Sequence, residues 1–274
     1  MKFKLPGLEI ADFMHPYEEE KKVIFSSLCT QAIIQNMNQL SISLMKPFVD
    51  GVYIKATAAS HARIYRILYD VCEILYYRGK IPQICIAHNA ANNISPCGCD
   101  DLFYITISDY TLEKFDDDMM YYSLGNAVAM MKAGHVELAT ISAYFPSYLM
   151  LDIIKKPFMD YIHAADATSD RGGLLACQSF KAAAKCHLFE LGLPVSEAEA
   201  LICTEAQAVS YVGKYQECYR KSQRTMKNTV TKISALWNDT KYIEGAGNKM
   251  LCDLFNWYMN PGGYAAIMKK YGRR

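Results

Sequence analysis

Apolar residues recur at helical spacing along most of this chain, and this pattern limits its fold more than any other feature. In residues 59–79, isoleucine, leucine and valine return every three or four positions until Gly79 and Pro82 end the pattern. After Asp152 the pattern is almost wholly helical, and a long polar helix is predicted from about 204 to 236. Helices are therefore predicted to make up most of the structure.

Only two short runs favour β-strands. They are "QICIAH" at 83–88 and "DLFYITIS" at 101–108, and the loop-like "NAANNISPCGCD" at 89–100 lies between them. The two runs are predicted to form a hairpin-like pair with a long connection. A helix is predicted at about 109–115, and the three aspartates at 116–118 then open the next helix. This order predicts an α+β fold, mainly helical, with a small sheet.

Length, composition and charge agree with one folded domain. Of the 274 residues, 51% are hydrophobic and the formal net charge is +1, which argues against intrinsic disorder and against an electrostatic nucleic-acid surface. No internal repeat or Pro/Ser-rich linker divides the chain. A single domain is expected over residues 1–274, with a helical C-terminal part from about 190, and nucleic acid is not expected as a partner.

The cysteine count and the lengths of the apolar runs predict where in the cell the protein is located. The opening residues contain no apolar run of signal-peptide length, so the ten cysteines are expected as reduced thiols and the protein is expected to be cytoplasmic. The longest apolar run, at 138–151, holds about 14 residues and includes Pro146, whereas roughly 20 residues are needed to span a bilayer. No transmembrane segment is therefore expected.

The stretch "LGNAVAMMKAGHV" at 124–136 has the frame of a metal-binding helix without its ligands. A helix holds zinc most simply with ligands at positions i and i+4, and with a glutamate beside the first that activates the bound water. The stretch resembles the corresponding helix of the HtpX-like zinc metallopeptidases, a gluzincin-type family whose slots hold His, Glu and His. Here the slots hold Asn126, Ala127 and Met130. An amide and a thioether bind zinc poorly, and a methyl group accepts no proton.

Other segments extend the resemblance over most of the chain. "DATSDRGGLLAC" at 166–177 is similar to the family's later helix, with Asp166 in the slot of the third ligand and with Asp170 and Arg171 retained. "FMHPYEEEK", "NISPCGCDDLFYITIS" and "GGYAAIMKKYG" resemble, in this order, the family's opening, its turn leading into a strand, and its last helix. The family's late histidine has no counterpart, since the last histidine of this chain is His187.

The resemblance implies a metallopeptidase-like (zincin) domain that has lost its chemistry. In an active relative, the residue at Asp170 would orient a ligating histidine. No catalytic residue, metal or other cofactor is expected to remain. The degenerate site implies a binding cleft lined by Asn126, Met130, His135, Asp166 and Asp170. For His135, which stands in the family's Gly-His slot, a satisfied core or helix-end position is the favoured interpretation.

The first hypothesis for function is a pseudopeptidase, a peptide- or protein-binding and regulatory module. Its expected partner is an extended peptide, an unfolded segment or another protein, including an active paralogue. An extended peptide would add as a strand to the edge of the sheet beside the former metal helix. The run at 101–108 is the predicted edge strand.

The alternative hypothesis is an enzyme. It would be an active metallopeptidase, or another hydrolase in the same cleft, with a rebuilt and non-standard zinc site. The candidate ligands for such a site are His135, His163 and Asp166. The sequence offers no base or nucleophile at a convincing spacing, so this hypothesis is the weaker of the two.

Overall fold

The computed structural model of the chain is mainly helical with one small sheet, so the predicted α+β class is confirmed. Among the residues that it describes, no helix has the length and apolar content needed to cross a lipid bilayer. The described residues are 2–22, 28–88, 94–99, 102–145, 152–230 and 241–272.

The helices predicted at 59–79 and 109–115 form, and the one predicted at 204–236 is described as far as Val230. The strands are β1 (Ile54–Lys55), β2 (Gln83–Ala87), β3 (Ile94–Cys99) and β4 (Leu102–Ser108). The helices are α1 (Pro16–Lys22), α2 (Leu28–Gly51), α3 (Ala62–Ile74), α4 (Asp109–Lys114), α5 (Asp117–Ala133), α6 (Val136–Tyr144), α7 (Asp152–Cys177), α8 (Phe180–Glu190), α9 (Val195–Leu201), α10 (Glu205–Val230), α11 (Lys241–Met259) and α12 (Tyr264–Tyr271).

The sheet has the strand order β1-β2-β4-β3. Strands β2 and β4 pair in parallel, whereas β1 and β3 pair antiparallel with β2 and β4, respectively. The predicted hairpin between β2 and β4 is therefore wrong. A third strand, β3, forms inside the segment that was predicted to be a loop. Its Ser95, Pro96 and Gly98 are residues typical of turns, so the strand was not predicted. Proline is tolerated in β3 because it is an edge strand.

The run at 101–108 is not the edge strand, because β4 lies between β2 and β3. The outer strand on this side is β3, which packs against α5 and α6. In an antiparallel ladder, alternate residues direct their backbone groups to opposite sides. Gly98 directs its N–H away from β4, since this N–H donates to Oγ1 of Thr140 on α6 over 2.9 Å. Ile94 and Pro96 share this outward direction, so the proline costs the sheet no hydrogen bond.

Helix α5 lies at the centre of the main hydrophobic core, between α3, α7, α8 and the sheet. Its start follows the predicted acidic signal, because the Asp116 side chain accepts a hydrogen bond from the backbone N–H of Met119 over 2.8 Å. It ends at Gly134, whose φ of 75° is left-handed and favours glycine. The sequence thus specifies both ends of the helix that carries the degenerate slots.

Helices α5 and α7 run antiparallel and approach so closely that a Cβ atom does not fit at their crossing. A Cβ on Gly125 would lie 2.4 Å from the Cβ of Ala176, and one on Gly172 would lie 2.2 Å from the Cβ of Ala129. The two helices are antiparallel because Gly125 meets Ala176, whereas Ala129, later in α5, meets Gly172, earlier in α7. Real Cβ atoms do not approach to such distances, so glycine is required at both positions.

Gly125→Ala is expected to lower the free energy of unfolding by about 1–3 kcal/mol, although alanine is the better helix former. Combining it with Ala176→Gly should restore part of the loss, because the opposing methyl group is removed. The control is Gly51→Ala, whose Cβ would meet no atom within 4 Å. Urea unfolding followed by circular dichroism measures all three variants. Wild-type stability in Gly125→Ala would show that the two helices can separate without cost.

Candidate functional site

A hydrogen bond between Asn126 and Asp170 connects the segments at 124–136 and 166–177, which are the two main motifs of the resemblance. Asn126 lies on α5 and Asp170 on α7, and Nδ2 of Asn126 donates a hydrogen bond to Oδ1 of Asp170 over 2.8 Å. Two short side chains can meet here because the helices approach closely. The amide of Asn126 therefore satisfies one oxygen of the Asp170 carboxylate from the facing helix.

Tyr122 and His187 complete a buried polar cluster around Asp170. The Tyr122 hydroxyl donates to Oδ1 of Asp170 over 2.9 Å and lies 2.8 Å from Nε2 of His187 on α8. Because a hydroxyl has one proton, the Nε2–H of His187 is the donor in the second bond. Oδ2 of Asp170 lies 3.6 Å from the same Nε2 and makes no hydrogen bond with the described residues. Asp170 is 2% exposed and His187 is 1% exposed.

An ion pair holds this cluster together at neutral pH. Burial alone lowers the pKa of His187, but the carboxylates of Asp170 and Glu190 outweigh it and raise that pKa to about 9. Burial raises the pKa of Asp170 to about 6, against the opposing effect of His187. Both groups are therefore charged at pH 7. Glu190, at the end of α8, is exposed and lies 3.5 Å from Nδ1 of His187.

Asp166 lies one turn before Asp170 on α7 and keeps partial access to solvent. Its carboxyl makes no hydrogen bond or ion pair with the residues that the structure describes. Burial raises the pKa of Asp166 to about 8, and the nearby carboxylates of Asp170 and Glu190 add to this effect. Asp166 is therefore mostly a neutral carboxylic acid at pH 7, and such a group both donates and accepts hydrogen bonds.

The register of α5 and α7 brings Asn126, Met130 and Asp166 near one another. Asn126 faces Asp170, so in the antiparallel pair Met130 comes level with Asp166, each one turn further along. Met130 is 6% exposed and Ala127 is 1% exposed, so both side chains belong to the core. Of Asn126, Ala127, Met130 and Asp166, only Asn126 and Asp166 retain partial solvent access. The accessible floor of the site is thus an amide beside a carboxyl group.

His135 belongs to a separate buried network. Its Nε2 lies 2.8 Å from Oε1 of Glu18, and the Thr168 hydroxyl donates to Oε2 of Glu18 over 2.5 Å. Thr168 follows Asp166 by two residues, which is about 200° around the helix, so this network and the Asp166 carboxyl occupy different sides of α7. The Glu18 network ties the N-terminal segment to α7 and gives Nε2 of His135 a partner, whereas Nδ1 of His135 is buried and makes no hydrogen bond with the described residues.

A rebuilt metal site would need His135, His163 and Asp166 on one side of α7. His163 and Asp166 are three residues apart and share a face, whereas His135 contacts the side of Thr168 and Tyr161. Within the described ranges, no cluster of three or more histidine, cysteine, aspartate or glutamate side chains has a geometry that could hold a metal ion. The three candidate ligands are therefore not brought together here.

The sequence prediction missed three residues of the cluster: Tyr122, His187 and Glu190. Tyr122 precedes Asn126 by four residues, so helical spacing alone could have placed it beside the first slot. His187 and Glu190 lie on α8, and nothing in their local sequence indicates that α8 packs against α5 and α7. Only the tertiary structure brings their charges to Asp170.

Comparisons of the chain with protein-family models, with curated proteins and with solved structures find no match. The likeness to the HtpX-like peptidases therefore rests on the sequence motifs alone. The role of the site has to be argued from its own chemistry.

The raised pKa of Asp166 predicts a pH dependence of stability. The ordinary value is 3.8, so between about pH 4 and 8 the folded state binds this proton more tightly than the unfolded state. The free energy of unfolding therefore falls as pH rises through this window. Asp166→Asn removes the loss, because the amide stays neutral. The variant is expected to exceed wild-type stability by roughly 1–3 kcal/mol near pH 8.5.

Urea unfolding at several pH values measures this effect. The difference between Asp166→Asn and the wild type should shrink below about 1 kcal/mol near pH 4, where the wild-type carboxyl is largely protonated in both states. A difference that does not change with pH would contradict the assignment of a partly buried, neutral Asp166.

Proposed function

We propose that this protein is a degenerate, catalytically inactive relative of the HtpX-like peptidases that binds extended peptides in the former cleft. The hydrogen bond between Asn126 and Asp170 carries the proposal. It sets the first degenerate slot against the aspartate that the later motif retains. The slots thus stand on neighbouring helices, as the ligands of one metal ion would.

The residues at the slots argue against peptide hydrolysis. Such hydrolysis at zinc needs a metal-bound water, a general base and a donor to the developing oxyanion. Ala127 replaces the base with a buried methyl group, and Asn126 and Met130 are poor zinc ligands. His187 does not replace the late histidine, because it is buried and bonded to Tyr122 behind Asp170.

The outer edge of β3 beside α5 is the place where an extended peptide would pair with the sheet. Two features limit this edge. Pro96 offers no N–H, and Thr140 already bonds the N–H of Gly98 and lies 3.1 Å from its carbonyl oxygen. Full pairing with a peptide, or with a strand of a partner protein such as an active paralogue, therefore requires the Thr140 contact to open.

Restoring the ligands tests the ancestry of the site. The double variant Asn126→His/Met130→His is expected to bind one zinc ion per chain, because Asp166 can supply a third ligand and Asp170 can orient the new histidine at 126. Ala127 is left unchanged, since a glutamate at this buried position would destabilise the core. Elemental analysis after dialysis measures the zinc.

The matched control adds Asp166→Ala to the double variant, and its zinc affinity should fall at least about tenfold. The wild type should carry no stoichiometric zinc and should not cleave casein. A folded double variant without zinc would refute the ancestry. Cleavage of casein by the wild type, abolished by Asp166→Ala, would refute the loss of activity.

Thr140 provides a test of peptide binding at β3. Thr140→Val has nearly the same shape but cannot bond Gly98, so the buried N–H of Gly98 loses its partner and moving α6 away from β3 costs less free energy. Affinity for labelled, unfolded casein fragments is expected to increase by about threefold to tenfold. Fluorescence anisotropy measures it. Thr140→Ser keeps the hydroxyl and should bind as the wild type does.

Two outcomes would count against this binding mode. Equal affinity in Thr140→Val and Thr140→Ser would rule out strand addition at Gly98. Absence of binding in the wild type and in both variants would reject the peptide-binding function altogether, even if the zinc experiment supports the ancestry.

A further inference from the structure

A second recess lies away from the cleft at α5 and α7. It is an open groove of about 470 Å³ at the start of β2 and β4, next to the edge strand β1 and helix α3. Strand β4 begins at this groove, whereas its other end, at Ser108, caps α4. The volume falls within the range of about 300–1,000 Å³ that is typical of small-molecule sites.

The side chain of Gln83, the first residue of β2, has a fixed orientation in this groove. Its Nε2 donates hydrogen bonds to the carbonyl oxygens of Ala56 over 2.7 Å and of Ile84 over 2.9 Å. Both partners are acceptors, so the amide nitrogen and not the oxygen must face them. Oε1 makes no hydrogen bond with a described residue, and it is not buried. The groove therefore offers an accessible acceptor that the backbone holds in place.

An aromatic surface lies beside the Gln83 amide. Nε2 of Gln83 is 3.4 Å from the hydroxyl of Tyr65, and the ring of Tyr69 follows one turn later on α3, with its centroid 6.1 Å from that of Tyr65. The Tyr65 hydroxyl already donates to the carbonyl oxygen of Ala56. Tyr69 is 47% exposed and lines the groove together with Phe103. An open aromatic face thus stands close to the unbonded amide oxygen, and such faces stack on planar molecules.

The two lysines that line the groove already have interactions within the protein. Lys55 pairs with Asp50 over 3.1 Å, and Lys80 also has a partner. An anionic ligand would have to replace contacts that these ammonium groups make, whereas an uncharged ligand leaves the contacts in place. A cationic ligand would be repelled by both lysines. The charges therefore favour an uncharged molecule.

We propose that this groove binds an uncharged, planar heteroaromatic molecule that carries an N–H group on its ring edge. The ring stacks on Tyr69 and contacts Phe103, and the N–H group donates to Oε1 of Gln83. An aromatic molecule without a donor would cover Oε1 and leave it without a hydrogen bond, which costs affinity. A donor without a ring would only exchange a bond with water for a bond with Gln83, which gains little.

A matched set of probes tests the proposal with the full chain. The probes are indole, its isostere benzofuran, which has an oxygen atom in place of the N–H group, and acetamide, which has the donor without the ring. Ligand-observed NMR titration measures their affinities. Indole is expected to bind with a Kd of about 1 mM or tighter. Benzofuran should bind about threefold to tenfold more weakly than indole, and acetamide at least about tenfold more weakly.

Variants locate the binding in the groove. Tyr69→Leu should weaken indole by about threefold to tenfold, because the stacking surface is lost. Tyr110→Leu is the control, since Tyr110 is 43% exposed but does not line the groove. Lys55→Met should leave the affinity for indole unchanged. Gln83 is not substituted, because its amide also bonds the backbone, and benzofuran removes the same hydrogen bond from the side of the ligand.

Three results would overturn the proposal, once circular dichroism has shown that each variant is folded. The first is the absence of indole binding at about 1 mM. The second is equal affinity for indole and benzofuran, which would remove the role of the Gln83 oxygen. The third is an equal loss of indole affinity in Tyr69→Leu and Tyr110→Leu, which would place the binding outside the groove.

Discussion

The close approach of α5 and α7 is the constraint on which the rest of the structure depends. Gly125 and Gly172 let the two helices meet at a distance that any Cβ atom would forbid. This distance allows the short side chains of Asn126 and Asp170 to bond directly. It also sets the antiparallel register that brings Met130 level with Asp166. The arrangement of Asn126, Met130, Asp166 and Asp170 is therefore a consequence of backbone packing as much as of the residues themselves.

The same packing encloses two carboxyl groups, those of Asp166 and Asp170, beside the imidazole of His187. The two carboxyl groups are accommodated in different ways. Asp170 stays ionised beside the imidazolium of His187 and accepts two further hydrogen bonds. Asp166 has no such partner among the described residues, and burial holds its carboxyl largely neutral. A hydrogen-bonded ion pair therefore accommodates one of the two carboxyl groups, and protonation accommodates the other.

The two edges of the sheet differ in a way that bears on binding. Strand β1 has only two residues, so it offers a partner strand little to pair with. Strand β3 is longer, but Pro96 and the contact of Thr140 with Gly98 restrict its outer edge. These features protect the isolated protein from uncontrolled strand pairing. They also make peptide addition at β3 dependent on a movement of α6.

The sequence by itself determined the mainly helical pattern, the two ends of α5 and the residues in the slots. Asp116 and Gly134 delimit α5 through local hydrogen bonds and backbone conformation, which involve only neighbouring residues. The tertiary structure alone decided that β2 and β4 pair in parallel with β3 outside them, and that His187 and Glu190 stand beside Asp170. It also decided that His135 bonds Glu18, away from the Asp166 face of α7. Strand order and the environment of a buried charge depend on contacts between residues far apart in the chain, and local spacing does not encode these contacts.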